Sequence, residues 1–89
     1  MSHDGQWLRF NPRRVPGRKT PIYDVLTKQE GNKIGEIRYW GAWRAFVFVP
    51  GFHTIYETTC LRDLATFCER QTAEHRSAVR RRRHQAATA

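Results

Sequence analysis

Ile34-Gly35-Glu36-Ile37-Arg38-Tyr39-Trp40-Gly41-Ala42-Trp43-Arg44-Ala45-Phe46-Val47-Phe48-Val49-Pro50 is the stretch that decides the fold. Two runs rich in β-branched and aromatic residues flank Gly41-Ala42, and Pro50-Gly51 ends the second. That pattern predicts a β-hairpin. Glycine at the first central position suits a two-residue type II′ turn, whose twist matches that of the flanking strands. In that register opposed residue numbers sum to 83. Trp40 faces Trp43, Arg38 faces Ala45 and Glu36 faces Val47 on one side of the sheet. Tyr39 with Arg44, Ile37 with Phe46, and Gly35 with Phe48 occupy the other. Glu36 and Arg38 would be costly to bury mid-strand without partners. The second side is therefore expected to face the core, with Gly35 leaving room for a ring, and Arg38, Trp40 and Trp43 point outward.

Working outward, Ile22–Thr27 reads as a strand ahead of the hairpin, joined to it by turn residues Gln29-Glu30-Gly31-Asn32-Lys33. After Pro50 comes a loop with His53, then a short candidate strand at Thr54-Ile55-Tyr56. Thr58-Thr59 supplies residues of N-cap type, and Leu61, Leu64, Ala65, Cys68 and Thr72 recur at helical spacing with Phe67 beside them. The helix is expected to reach about His75. Beyond it, good helix formers would carry it through Val79 into Arg80-Arg81-Arg82-Arg83, or repulsion among those arginines would fray it. The expected fold is α+β: an antiparallel three-stranded sheet packed on one C-terminal helix, β-β-β-α, over residues 20–75. Residues 1–19 are expected to be a flexible basic arm and 76–89 a basic tail or frayed helix end. Within the arm, Trp7-Leu8-Arg9-Phe10 is expected to dock on the domain, the alternative being a short anchor for a partner.

The net charge of +8 is unevenly placed. Residues 1–20 carry +4, residues 76–89 carry +5, and the middle of the chain carries −1. Basic segments bind polyanions because neutralised phosphates release condensed counterions. Charge on the ends also keeps a small protein soluble, but four consecutive arginines exceed that need, and acidic residues serve solubility better. Nucleic acid, with DNA favoured over RNA, is the expected partner. The candidate contacts are Arg13 and Arg14 in the first arm, Arg80, Arg81, Arg82 and Arg83 in the second, and Arg38, Trp40, Trp43 and Arg44 at the hairpin tip. There indoles would stack on bases and guanidinium groups would contact phosphates or guanine edges. The blander reading of Trp40 and Trp43 is a cross-strand pair that stabilises the tip.

Other chemistry finds little support. His53, Cys60, Cys68 and His75 are metal-binding residue types, but three fall seven or eight residues apart along one helix, where ligands cannot converge. Cys60 and Cys68 would lie about 12 Å apart, too far for a disulfide. A helix dipole would lower the Cys60 pKa, yet no base is paired with it. Neither a phosphate-binding glycine loop nor a carboxylate pair stands out. The expectation is a non-enzyme with no metal and no cofactor. Without an apolar run of membrane-spanning length or a signal-peptide pattern, a cytoplasmic location is expected. A protein-interaction module that modulates a host protein, with Trp7, Trp40 and Trp43 as anchors, is the competing function.

The stretch 35–50, with Thr54-Ile55-Tyr56 and Cys60-Leu61-Arg62-Asp63-Leu64-Ala65-Thr66-Phe67, resembles a family of small phage and prophage proteins. The shared pattern is G-x-I…W-R-x-aromatic-x-F-x-P…T-x-aromatic…C-L-x-acidic-aliphatic-x-x-F, over about residues 20–72. The resemblance implies the hairpin-then-helix core and a bacterial or phage cytoplasm. It implies no activity, and no site residues carry over. Arg38, Trp40, Gly41, Trp43, Ala45 and Pro50 also resemble, architecturally, the sheet of plant ethylene-response-factor DNA-binding domains and the arm-binding domains of phage integrases. That analogy implies a sheet that reads the major groove, with Arg38, Trp40, Trp43 and Arg44 facing DNA.

Overall fold

A computed structural model describes residues 3–88, with side chains described for 5–83. Five strands run β1 His3–Asp4, β2 Leu8–Arg13, β3 Ile22–Thr27, β4 Lys33–Trp40 and β5 Ala45–Pro50, and one helix, α1, covers Thr58–Thr88. The strands form one antiparallel sheet in the order β1-β2-β3-β4-β5, a meander in which each strand pairs with its neighbour in sequence. The α+β architecture with one C-terminal helix is as expected. The strand count is not.

The correction lies in the first arm. Leu8–Arg13 is not mobile: it pairs with β3 from Leu8↔Thr27 to Arg13↔Ile22. Leu8 and Phe10 are fully buried, so the Trp7–Phe10 segment docks by joining the sheet. Pro12 is tolerated because it pairs with Tyr23 at a position where an amide would point away from β3, so no ladder bond is lost. Asp63 of α1 holds the entry to this strand by accepting the backbone N–H groups of Trp7 (2.7 Å) and Leu8 (3.3 Å).

The hairpin keeps its predicted faces but not its turn. Trp40 pairs with Ala45 and Gly35 with Pro50, so paired numbers sum to 85. The loop is Gly41–Arg44, closed by the Trp43 N–H on the Trp40 carbonyl and the Arg44 N–H on the Gly41 carbonyl. A shift of one residue would have turned every side chain over; a shift of two preserves the faces. Ile37 and Phe46 are buried on the inner side with Phe48 packed against them, and a Cβ at Gly35 would sit 2.5 Å from the Val49 carbonyl and 2.7 Å from the Phe48 ring. Residues 54–56 are loop, not strand. Tyr56 still packs edge-on to Phe48, with ring centroids 5.3 Å apart.

The helix begins one residue earlier than expected. Glu57 is the cap: its carboxylate accepts the Cys60 N–H at 2.8 Å and its carbonyl accepts the Leu61 N–H. The buried stripe is also rotated. Leu64, Phe67 and Gln71 are buried, whereas Leu61 and Ala65 face solvent. Phe67 anchors the layer, stacked on Phe10 at 4.1 Å and edge-on to Tyr23 at 4.7 Å. Such aromatic pairs add about 0.5–1.5 kcal/mol each beyond their buried area. The Tyr23 hydroxyl donates to Gln71 Oε1 at 3.0 Å, and the Thr72 hydroxyl accepts the outward-pointing Phe46 N–H of edge strand β5. Of the two endings open past His75, the structure takes the continuous one: α1 runs unbroken through Val79 into and past the arginines, 31 residues in all, about 46 Å. The molecule measures 49 × 27 × 26 Å, its long dimension set by this helix.

Candidate nucleic-acid interface

On the outer face of the sheet, Arg38 of the expected hairpin tip and Arg13 of the expected arm are engaged in ion pairs within the fold. Arg13 bridges Asp24 (3.2 Å) and Glu36 (3.3 Å); Lys33 bridges the same two carboxylates at 3.0 and 3.1 Å. Arg38 pairs with Glu36 at 2.7 Å. Asp24 and Glu36 lie directly opposite each other on β3 and β4, so the three cations offset a like-charge pair. Burial pushes the Asp24 carboxyl up, but the hydrogen bonds and charges of Arg13 and Lys33 together hold it below its usual value. Lys33 above all, against partial burial, keeps Glu36 low as well. Arg14 donates to the Lys19 carbonyl at 3.4 Å. Arg13 and Arg38 are thus ion-pair partners within the sheet.

Trp40 and Trp43 form a pair, though not across strands. Trp40 ends β4 and Trp43 lies in the loop, with ring centroids 6.5 Å apart and planes inclined at 66°. Both rings are well exposed, Trp43 by 71%.

The cations that do converge sit elsewhere. A groove of about 430 Å³ lies between the hairpin tip and the C-terminal half of α1, with Arg44 from the loop and Arg76, Arg80 and Arg83 from the helix around it. Arg76, Arg80 and Arg83 follow i, i+4, i+7 spacing, which places them on one helical face. Arg76 is tied to the tip by a hydrogen bond from its Nη2 to the Arg44 carbonyl, 3.1 Å. Arg44 itself holds a left-handed backbone, φ 52°, which turns the chain back into β5. An adjoining groove of about 420 Å³ adds Lys19 and Arg82. Both share Tyr39, His75, Val79 and Arg83, and the Tyr39 and His75 rings pack at 4.4 Å to form the floor. Among the described residues, neither groove is lined by a carboxylate.

Of the candidates read from sequence, Arg44, Arg80, Arg82 and Arg83 meet here. Arg81 lies on the same helical turn but lines neither groove, and Trp40, Trp43 and Arg38 lie apart from it. Arg76, Lys19, Tyr39 and His75 were not among the candidate nucleic-acid contacts read from sequence. The Arg76/Arg80/Arg83 periodicity was the available signal, and it depends on the helix continuing past His75.

The pKa of both cysteine thiols is raised. Burial, then nearby Glu57, raises the Cys60 thiol rather than lowering it, contrary to the helix-dipole expectation. Burial, then the charge of Glu69, pushes Cys68 up to about 11. No helix among the described residues is long and apolar enough to cross a membrane.

Among curated proteins, the chain is similar to an "Uncharacterized 9.3 kDa protein" of Acholeplasma phage L2, 25% identical over 71 residues that span 80% of this chain and 91% of the relative. No family model matches the chain, and no solved structure matches it.

Proposed function

We propose that this is a small phage- or prophage-type accessory protein that binds nucleic acid through the arginine-lined groove and the basic end of α1, in the host cytoplasm. The observation that carries the reading is the convergence of Arg44, Arg76, Arg80 and Arg83 on one groove without a lining carboxylate. Guanidinium groups so placed fit phosphate oxygens in paired hydrogen bonds. Similarity to a small phage protein is in keeping with an accessory role.

The test compares two sets of variants by fluorescence anisotropy on a labelled DNA duplex. Arg76→Gln, Arg80→Gln and Arg83→Gln combined is expected to weaken binding by at least tenfold. Arg38→Gln, on the opposite face of the sheet, is expected to leave it within twofold. Equal loss from both would place the contact elsewhere, and no binding by the parent protein to this duplex, to an RNA duplex or to a single strand would end the reading.

A second reading, a protein-interaction module, is favoured by the apolar residues that the fold leaves in water. Besides the Trp40–Trp43 pair, Phe52 is 90% and Ile55 96% exposed. A stoichiometric host protein retained from nuclease-treated lysate, and lost with Trp40→Ala and Trp43→Ala, would promote it.

A further inference from the structure

Arg80, Arg81, Arg82 and Arg83 differ from the rest of α1 in how they meet solvent. Up to Val79 the helix has a covered side: Gln71 is buried, and Thr72, His75, Ala78 and Val79 are half-buried. From Arg80 to Arg83 every side chain is exposed. Successive helical residues are about 100° apart, at 3.6 residues per turn. Four consecutive arginines therefore place a guanidinium toward each quadrant of the helix. Two of them, Arg80 and Arg83, turn toward the Arg44–Arg76 side, Arg82 toward Lys19, and Arg81 away from both.

A ligand lying flat against the protein would use one side of such a helix and leave the other charges to water. One that walls the helix on both sides would use all four. An α-helix with its side chains is about 10–12 Å across, and the major groove of B-form DNA is about 12 Å wide with phosphates along both rims. The major groove of an RNA duplex is too deep and narrow for side chains to read, and a single strand has no second wall. We infer that the projecting end of α1 enters the major groove of duplex DNA, with Arg80–Arg83 spanning it and Arg44, Arg76 and Lys19 holding the flanking phosphates at its mouth. This rests on the nucleic-acid reading above and names its substrate class. The negative end of the helix dipole, about half a charge, enters the same groove but is outweighed by four guanidinium charges.

Full-length protein is titrated, at one salt concentration, against a duplex of about 20 base pairs, the RNA duplex of the same sequence and the single DNA strand. The DNA duplex is expected to bind at least tenfold more tightly than either. Single Arg→Gln changes at 80, 81, 82 and 83 are all expected to weaken it and to lower the salt slope by about one each, and guanine N7 should be protected from methylation. Equal or tighter binding of RNA or the single strand, or an Arg81→Gln variant that binds as the parent does, overturns groove insertion while leaving the nucleic-acid reading standing. Absence of binding to all three probes ends both.

Discussion

At Gly35 one missing Cβ decides how two strands close. The space a methyl group would fill is already taken by the Val49 carbonyl and the Phe48 ring. The ring can tilt, but the carbonyl belongs to the β4–β5 ladder. Gly35→Ala is expected to cost about 1–3 kcal/mol, read from the urea midpoint; an unchanged midpoint would mean that β5 shifts freely. Arg44 gives the opposite case. Its left-handed backbone strains a residue with a Cβ by about 1–2 kcal/mol. Arg44→Gly is expected to keep or raise thermal stability while weakening DNA binding, so that the two roles of this position separate; a destabilised variant would contradict this. Cys68, with its thiol pushed to about 11 by burial and then Glu69, is expected to react slowly with a disulfide reagent at pH 8 in the folded protein and quickly in denaturant. Equal rates in both states would contradict its placement between helix and sheet.

At the level of elements, the strands with strong β patterning were legible: Ile22–Thr27 has the same bounds in sequence and structure, and the hairpin faces came out right although its loop is two residues longer. Strand β2 was hidden by its composition, Leu-Arg-Phe-Asn-Pro-Arg, in which charge and proline outweigh two apolar residues. Only tertiary contact, with Leu8 and Phe10 against α1 and β3, makes it a strand. The helix stripe was misplaced because Leu61 and Ala65 look more apolar than Gln71, which is buried through its bond to Tyr23. Arg13 was legible as a cation but not as a partner of Asp24 and Glu36, since that pairing needs β2 in place, whereas Arg38 and Glu36 lie two residues apart on one face of β4. The same cluster makes stability pH-dependent. Both carboxyls titrate lower in the folded protein than in the unfolded chain, so their contribution is present at neutral pH. It is expected to drain as pH falls through the ordinary carboxylate range, near 4, and below. Urea midpoints measured from pH 7 to 3 should therefore decline, and Asp24→Asn with Glu36→Gln should flatten the decline. A midpoint rising toward pH 3 would contradict the cluster.

Over the whole molecule, the charge that looked symmetric along the chain is not symmetric in space. The N-terminal excess is drawn partly into the sheet by Arg13, while Lys19 and the arginines of the C-terminal half of α1 gather at one end of a body about 26 Å thick. That polarity is what a polyanion would meet. Salt dependence measures it most directly, because each phosphate neutralised contributes about −0.9 to the slope of log affinity against log salt on duplex DNA. For the full-length protein on a DNA duplex the expected slope is about −4 or steeper, becoming shallower by about 3.6 when Arg76, Arg80, Arg82 and Arg83 are all replaced by glutamine. A shallow slope in the parent, or one that the replacements leave unchanged, would contradict the arginine end of the molecule as its binding surface.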